Sequence, residues 1–226
     1  TPDVLAAYAG DPRVRLLRQA NAGQTAAKNR GLREARGEFV GFCDADDRWL
    51  PDKLARQLPR FEDAPRLGVV YGDFACIDGE GRPTATPRWP CYSGRITGKL
   101  LVDNFVHFPT ALARREAVER AGGFDETRTM AIDYDLWLRL SVDWDFLHVP
   151  ETVVEYRLWA GQMSHRTGER LDNAFRMMTR FLAEHPDSVT AAERRYAWTY
   201  TYVTRACWQA GQGRPGAAVA DFARAA

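Results

Sequence analysis

Apolar positions along the chain fall into short blocks whose period switches repeatedly between that of a helix and that of a strand. Residues 2–8 open with Pro2 and Asp3 and place Leu5 and Tyr8 on one face, the pattern of a short helix. Val14, Arg15, Leu16 and Leu17 read as a short strand. Residues 24–35 repeat Ala26, Ala27, Leu32 and Ala35 at near-helical spacing until Gly37 stops the run. Residues 38–43 form an apolar run of strand length that ends abruptly in Asp44, Ala45, Asp46 and Asp47. Pro51 and Asp52 open the next helix, with Leu54, Leu58 and Phe61 predicted on its apolar face. Residues 67–74 read as a strand of buried type. Strands alternating with helices of this length predict an α/β fold with a mostly parallel sheet.

The texture changes at residue 79. Gly79, Gly81, Pro83, Pro87 and Pro90 mark a long irregular loop, followed by a helix near 98–104, a strand at 110–113 and a helix at 116–121 that Gly122 and Gly123 end. Residues 132–142 are strongly helical, with Leu136, Trp137 and Leu140 inward, and short strands at 146–149 and 152–156 flank Pro150. Three helical patterns complete the chain, at 171–184, 191–210 and 215–225. The expected division is an α/β domain over 1–165 and a C-terminal helical appendage over 166–226.

The sharpest chemical feature is the run Asp44-Ala45-Asp46-Asp47. A hydrophobic strand delivers three carboxylates to its C-terminal tip, where open α/β sheets bind ligands. Mg²⁺ or Mn²⁺ takes one or two protein carboxylates plus phosphate oxygens. The same acids also suit a turn that starts the helix at Pro51, and spacing alone favours neither reading. Upstream, a glycine turn at Gly23 leads into a helix bearing Lys28 and Arg30, a place to meet a diphosphate. Downstream, Gly122-Gly123-Phe124-Asp125-Glu126 leads to Asp133-Tyr134-Asp135-Leu136-Trp137, and Tyr156-Arg157-Leu158-Trp159 follows a strand. An acid at a helix start is usually a cap, which leaves Asp133 open between capping and chemistry.

Taken in this order, these segments resemble family 2 glycosyltransferases of the GT-A fold, from Thr1 to about Ser164. The resemblance implies a GT-A-like, Rossmann-like, mostly parallel sheet with helices on both faces. It also implies inverting transfer of a sugar from a nucleoside-diphosphate sugar to the hydroxyl of a carbohydrate or lipid-linked acceptor. Asp44 and Asp46 match the family's D-x-D motif, with Asp46 as the ligand of Mn²⁺ or Mg²⁺ and Asp44 near the ribose or the metal. Asp133 matches the position assigned as catalytic base, within a stretch that reads E-D-Y-D-L-W in many members. Lys28 stands where the family often has arginine, at the donor. Ile132 replaces the glutamate often found before the base. Trp159 replaces a histidine common in Y-R-x-H, with His165 as a substitute ligand. The processive Q-x-x-R-W signature is absent, so transfer is expected to be non-processive. Family members begin with strands ending in P-x-Y-N and D-D-G-S. Thr1 would follow the second directly, so an N-terminally incomplete sheet with an apolar edge beside residues 14–17 is expected.

Composition narrows the alternatives. Charges nearly cancel at +1, which leaves no electrostatic footprint for nucleic acid. No run approaches the roughly 20 apolar residues that span a bilayer, so any membrane association would be peripheral. The four cysteines form no C-x-x-C pair and read as reduced thiols of a cytoplasmic protein. Two other functions compete. One is a metal-dependent nucleotidyltransferase-like enzyme, which would need a glycine-rich phosphate loop that this sequence lacks. The other is a truncated, inactive nucleotide- or partner-binding module.

Overall fold

A computed structural model describes residues 2–162 and 166–225. Its centre is a five-stranded sheet of β1 (Phe39–Gly41), β2 (Arg48–Trp49), β3 (Leu67–Ile77), β4 (Leu112–Arg114) and β5 (Asp145–Arg157), in the spatial order β1-β4-β3-β5-β2. The α/β class is as expected, but the sheet is mixed. Only β3 and β5 pair in parallel, while β4 runs antiparallel to both β1 and β3, and β2 antiparallel to β5. β1, β3 and β5 therefore point the same way, and β2 and β4 run against them. The parallel pair needs a long crossover. It contains α4 (Thr97–Leu100), β4, α5 (Arg115–Arg120) and α6 (Ile132–Leu140).

Alternate residues of the strands feed two cores. Val40, Val69, Tyr71, Ala113 and Phe146 pack with Ile96, Leu100, Val118, Leu136 and Trp137 on one face. Leu67, Val70, Leu112 and Val149 pack with Phe61 on the other. Phe61 ends a 3-10 turn (Leu58–Phe61) that continues α3 (Lys53–Gln57), so helical segments cover both faces.

Four elements differ from the sequence pattern. Residues 14–17 form no strand; they run alongside α2 (Gly23–Glu34), where the Arg15 guanidinium donates to the Glu34 carbonyl at 2.8 Å and Arg30 donates to the Arg18 carbonyl at 2.6 Å. Leu16 and Leu17 are exposed there, and the edges of the sheet among the described residues are β1, paired only with β4, and β2, paired only with β5. The face of α3 is the second difference. Leu54 and Leu58 are exposed, whereas Lys53 and Gln57 are fully buried, because both reach polar backbone that an apolar side chain would leave unpaired. Lys53 donates to the Thr110 carbonyl at 2.7 Å and to Gln57 Oε1 at 2.6 Å, and Gln57 donates to the Thr110 and Val70 carbonyls. Third, 145–157 is one strand across Pro150. The β3 register shifts from Gly72↔Val149 to Asp73↔Thr152, so Pro150 sits in a bulge where its missing N–H removes no ladder bond. Gly72 permits the bulge, since a Cβ there would lie 2.9 Å from the Glu151 carbonyl. Fourth, β2 has no apolar pattern and is set by its pairing with β5.

The helices of the tail are α7 (Thr167–Glu184), α8 (Ala191–Gly211) and α9 (Pro215–Ala225). Thr190 and Glu193 form a reciprocal capping box at the start of α8. Met177, Met178, Phe181 and Ala197 belong to the same buried cluster as Tyr71 and Trp137, so the core runs without a break across residue 165. No helix among the described residues is long and apolar enough to cross a membrane.

Candidate active site

β1 ends at Gly41, and the chain makes a tight turn over Asp44–Asp47, closed by the Asp47 amide on the Asp44 carbonyl at 3.1 Å, before entering β2. The last residue of β5 holds this turn. The Arg157 amide donates to Asp47 Oδ1 at 3.0 Å, and its Nε donates to the Asp46 carbonyl at 2.8 Å. Its Nη1 reaches the Asp78 carbonyl at 2.9 Å, tying the start of the irregular loop to the same place. The carboxylates themselves have separate partners. Asp44 is paired with Lys28 at 3.0 Å, and Asp46 Oδ2 accepts from the Trp159 indole at 2.9 Å. Asp47 is the most buried of the three, and its Oδ2 has no hydrogen-bond partner among the described residues. Burial pushes the Asp47 carboxyl up to about 6, with Asp46 and Asp44 adding repulsion and the Arg157 amide opposing.

Crowded carboxylates with an orphaned oxygen fit a hard divalent cation, whose charge would offset the burial and the repulsion that lift Asp47. The three do not form a closed cage. The one trio of metal-ligating types whose donor atoms converge among the described residues lies elsewhere, at Asp73, Cys91 and His148. An open arrangement of this kind suits a cation that takes its remaining oxygens from a phosphate.

Lys28 reaches the turn from the middle of α2, with its ammonium 4.5 Å from the centre of the Phe108 ring. Its neighbour Asn29 faces the other way and is buried, accepting from the Phe124 amide at 2.9 Å and donating to the Phe124 carbonyl at 2.8 Å. Gly123 has φ +70°, and a Cβ there would lie 2.8 Å from Asn29 Oδ1, so only glycine lets the loop close on this side chain. Gln24 and Thr25 bind the Thr129 and Arg128 carbonyls. One helix thus fixes both the acidic turn and the loop that leads to Asp133. Arg30 is spent on the Arg18 carbonyl and does not join the site.

Ala131 enters α6 with φ +54°, a left-handed conformation that is strained for a residue with a Cβ. It turns the chain so that Asp133 falls in the first helical turn. Asp133 accepts from Asn104 Nδ2 at 3.0 Å. Burial pushes its carboxyl up, against the amides of Tyr134 and Asp133, the Asn104 amide and the charge of Lys28. Lys28 therefore acts on Asp44 and Asp133 together. Asp135 is fully engaged, with Arg128 and Arg139 each at 2.8 Å.

Sequence reasoning placed Lys28, Asp44, Asp46 and Asp133 in one site, and the structure brings Lys28 to Asp44 and into the field of Asp133. It missed Asn104, Asn29 and the latch role of Arg157. Arg157 was legible as a basic residue at a strand end; Asn104 had no local signal. Trp159 takes up Asp46 directly, while His165 lies outside the described residues.

The mixed α/β sheet with its flanking helices is that of a GT-A-type domain. The chain belongs to glycosyl transferase family 2, whose family model matches residues 1–122. It is 34% identical over 144 residues to a chondroitin synthase of Escherichia coli, covering 63% of this chain and 20% of that protein. It is 33% identical over 177 residues to the O-antigen biosynthesis protein RfbC of Myxococcus xanthus, covering 77% of this chain and 14% of that protein. The chain thus spans a fifth or less of the length of these relatives. Among solved structures, residues 1–349 of S. aureus TarS in complex with UDP-GlcNAc superpose with a TM-score of 0.63 at 15% identity, over 99% of this chain and 68% of that one. The mannosyltransferase PcManGT of Pyrobaculum calidifontis, in complex with GDP-Man and Mn²⁺, superposes with a TM-score of 0.59 at 20% identity, over 99% and 61%.

Proposed function

We propose that the chain transfers a sugar from a nucleoside-diphosphate sugar to an acceptor hydroxyl, with inversion, metal-dependent and non-processive. The observation that carries this reading is the position of Lys28, which pairs with Asp44 while its charge acts on Asp133. Lys28 thus links the donor-side acids to the base candidate. Asp46, with Asp44, would hold Mn²⁺ or Mg²⁺, and a bound cation supplies neutralisation of charge on the leaving diphosphate. Lys28 adds a second positive charge on the donor side. Asp133 takes the proton of the acceptor hydroxyl as its oxygen bonds to the anomeric carbon and the bond from that carbon to the diphosphate breaks. Its raised pKa makes it a stronger base than an exposed carboxylate, and Asn104 orients it.

UDP-GlcNAc and GDP-Man with Mn²⁺ in proteins of the same fold support a nucleotide-sugar donor. Relatives named for chondroitin and O-antigen synthesis support a carbohydrate or lipid-linked acceptor. Four free thiols fit a cytoplasmic site of action. The test is nucleotide-diphosphate binding with and without Mn²⁺, followed by fluorescence. Asp46→Ala should abolish the Mn²⁺-dependent gain in affinity while leaving circular dichroism unchanged. An undiminished gain in that variant would overturn the assignment.

A further inference from the structure

We propose that Asp73, Cys91 and His148 form a second cation site, separate from the acidic turn and built for a borderline-soft divalent metal such as Zn²⁺. The three residues come from different segments: Asp73 from β3, His148 from β5 and Cys91 from the irregular loop between β3 and α4. One donor atom from each lies within 4.8 Å of the others. Zinc bonds of about 2.0–2.3 Å to nitrogen, oxygen and sulfur put neighbouring donor atoms roughly 3.5 Å apart, so side-chain adjustments of about an ångström would close the set.

The surroundings hold these donors in place. His148 Nε2 and Asp73 Oδ1 are already 2.8 Å apart. Cys91 begins a stretch laid against the sheet by five hydrogen bonds. The Tyr71 hydroxyl donates to the Tyr92 carbonyl at 2.8 Å and accepts from the Tyr92 amide at 2.9 Å. Gly94 and Phe146 exchange two backbone bonds, and the His148 amide donates to Ser93 Oγ. The Cys91 thiol itself meets the Tyr71 hydroxyl and has a weak contact of 3.7 Å to the Trp89 carbonyl.

The donor set selects its ion. A thiolate, an imidazole and one carboxylate favour Zn²⁺ and Co²⁺, whereas Mg²⁺ and Mn²⁺ prefer all-oxygen sites. Three protein ligands leave a fourth position open to water or to another group. Cysteine ligates as the thiolate, so cation binding releases the thiol proton to solvent and affinity rises with pH. Its structural effect is to clamp the loop carrying Trp89 and Cys91 onto β3 and β5.

The experiment is a Co²⁺ titration of the intact protein, read as thiolate-to-cobalt charge-transfer absorption, with Zn²⁺ displacing the signal. We expect the band to saturate at one equivalent, and to persist in Asp46→Ala. Cys91→Ser should lose the band, and His148→Ala or Asp73→Asn should weaken binding by at least about tenfold, since loss of an outer-shell partner already costs about 10–100-fold. A second readout needs no variant: Zn²⁺, but not Mg²⁺, should protect Cys91 from iodoacetamide, followed by mass spectrometry of its peptide. Absence of the band together with unprotected Cys91, or a band that survives in Cys91→Ser, would overturn the proposal.

Discussion

Asp133 and Asp135 stand two residues apart on α6 and have different surroundings. Asp135 is buried between two arginines at 2.8 Å, a closed ion-pair network with no room for a substrate. Asp133 has an asparagine partner and the more distant Lys28, so it keeps a carboxylate whose basicity burial raises. Asp133→Asn should therefore retain donor binding and lower kcat by about 10² or more. Asp135→Asn should instead strand part of the charge of Arg128 and Arg139. Removing one partner of a buried pair costs about 3–5 kcal/mol, and the asparagine amide softens that loss. Urea denaturation beside single-turnover kinetics separates the two effects. Turnover that survives in the first variant and collapses in a folded second variant would exchange their roles. The identities of these acids were legible in the sequence because each sits beside a chain-local signal, a strand tip or a helix start. Asn29, Asn104 and Lys53 were not legible. Their partners lie 95, 29 and 57 residues away, and asparagine and lysine in a helix or loop ordinarily face water.

At the scale of elements, α3 shows how backbone polarity can override an apolar stripe. The carbonyls of Thr110 and Val70 end up beneath this helix, and Lys53 and Gln57 turn inward to meet them. Burial pushes the Lys53 ammonium down to about 7, while its two short hydrogen bonds and the Trp49 face, 4.9 Å away, help it retain the proton. The direction of the pH effect follows. Between pH 7 and the ordinary lysine value the unfolded chain binds the extra proton, so stability rises with pH and levels off below about pH 7. From pH 7.5 to 9.5 the wild type should gain up to about 2 kcal/mol relative to Lys53→Met, measured by urea midpoints at both values. Parallel profiles for the two proteins would show that Lys53 keeps an ordinary pKa. The strands illustrate the same limit of local reading. β1 and β3 announced themselves as apolar runs, but two-residue β2 exists only because β5 passes beside it, and residues 14–17 carried the pattern of a strand without a neighbour to pair with.

At the scale of the whole molecule, the tail is joined to the site by packing and by charge. Met177 and Phe181 of α7 share a core with Leu136 and Trp137, and Arg180 binds Asp125 at 2.5 Å, in the loop that leads to Asp133. The Thr127 hydroxyl and amide, with Arg180, hold the Asp125 carboxyl down to about 2 in spite of its burial. Phe181→Ala should lower stability by about 3–5 kcal/mol. It should do so in a single transition, seen alike by tryptophan fluorescence and far-ultraviolet circular dichroism. Two separated transitions would mean that the halves unfold independently. The shared core also bears on descent. Side chains on α4 and α6 and those on α7 and α8 fill one volume, so a larger group on one side must be matched by a smaller one on the other. Recombination with a relative at residue 165 would separate matched sets. Grafting this tail onto another transferase would therefore require carrying across the inner faces of α4 and α6 as well.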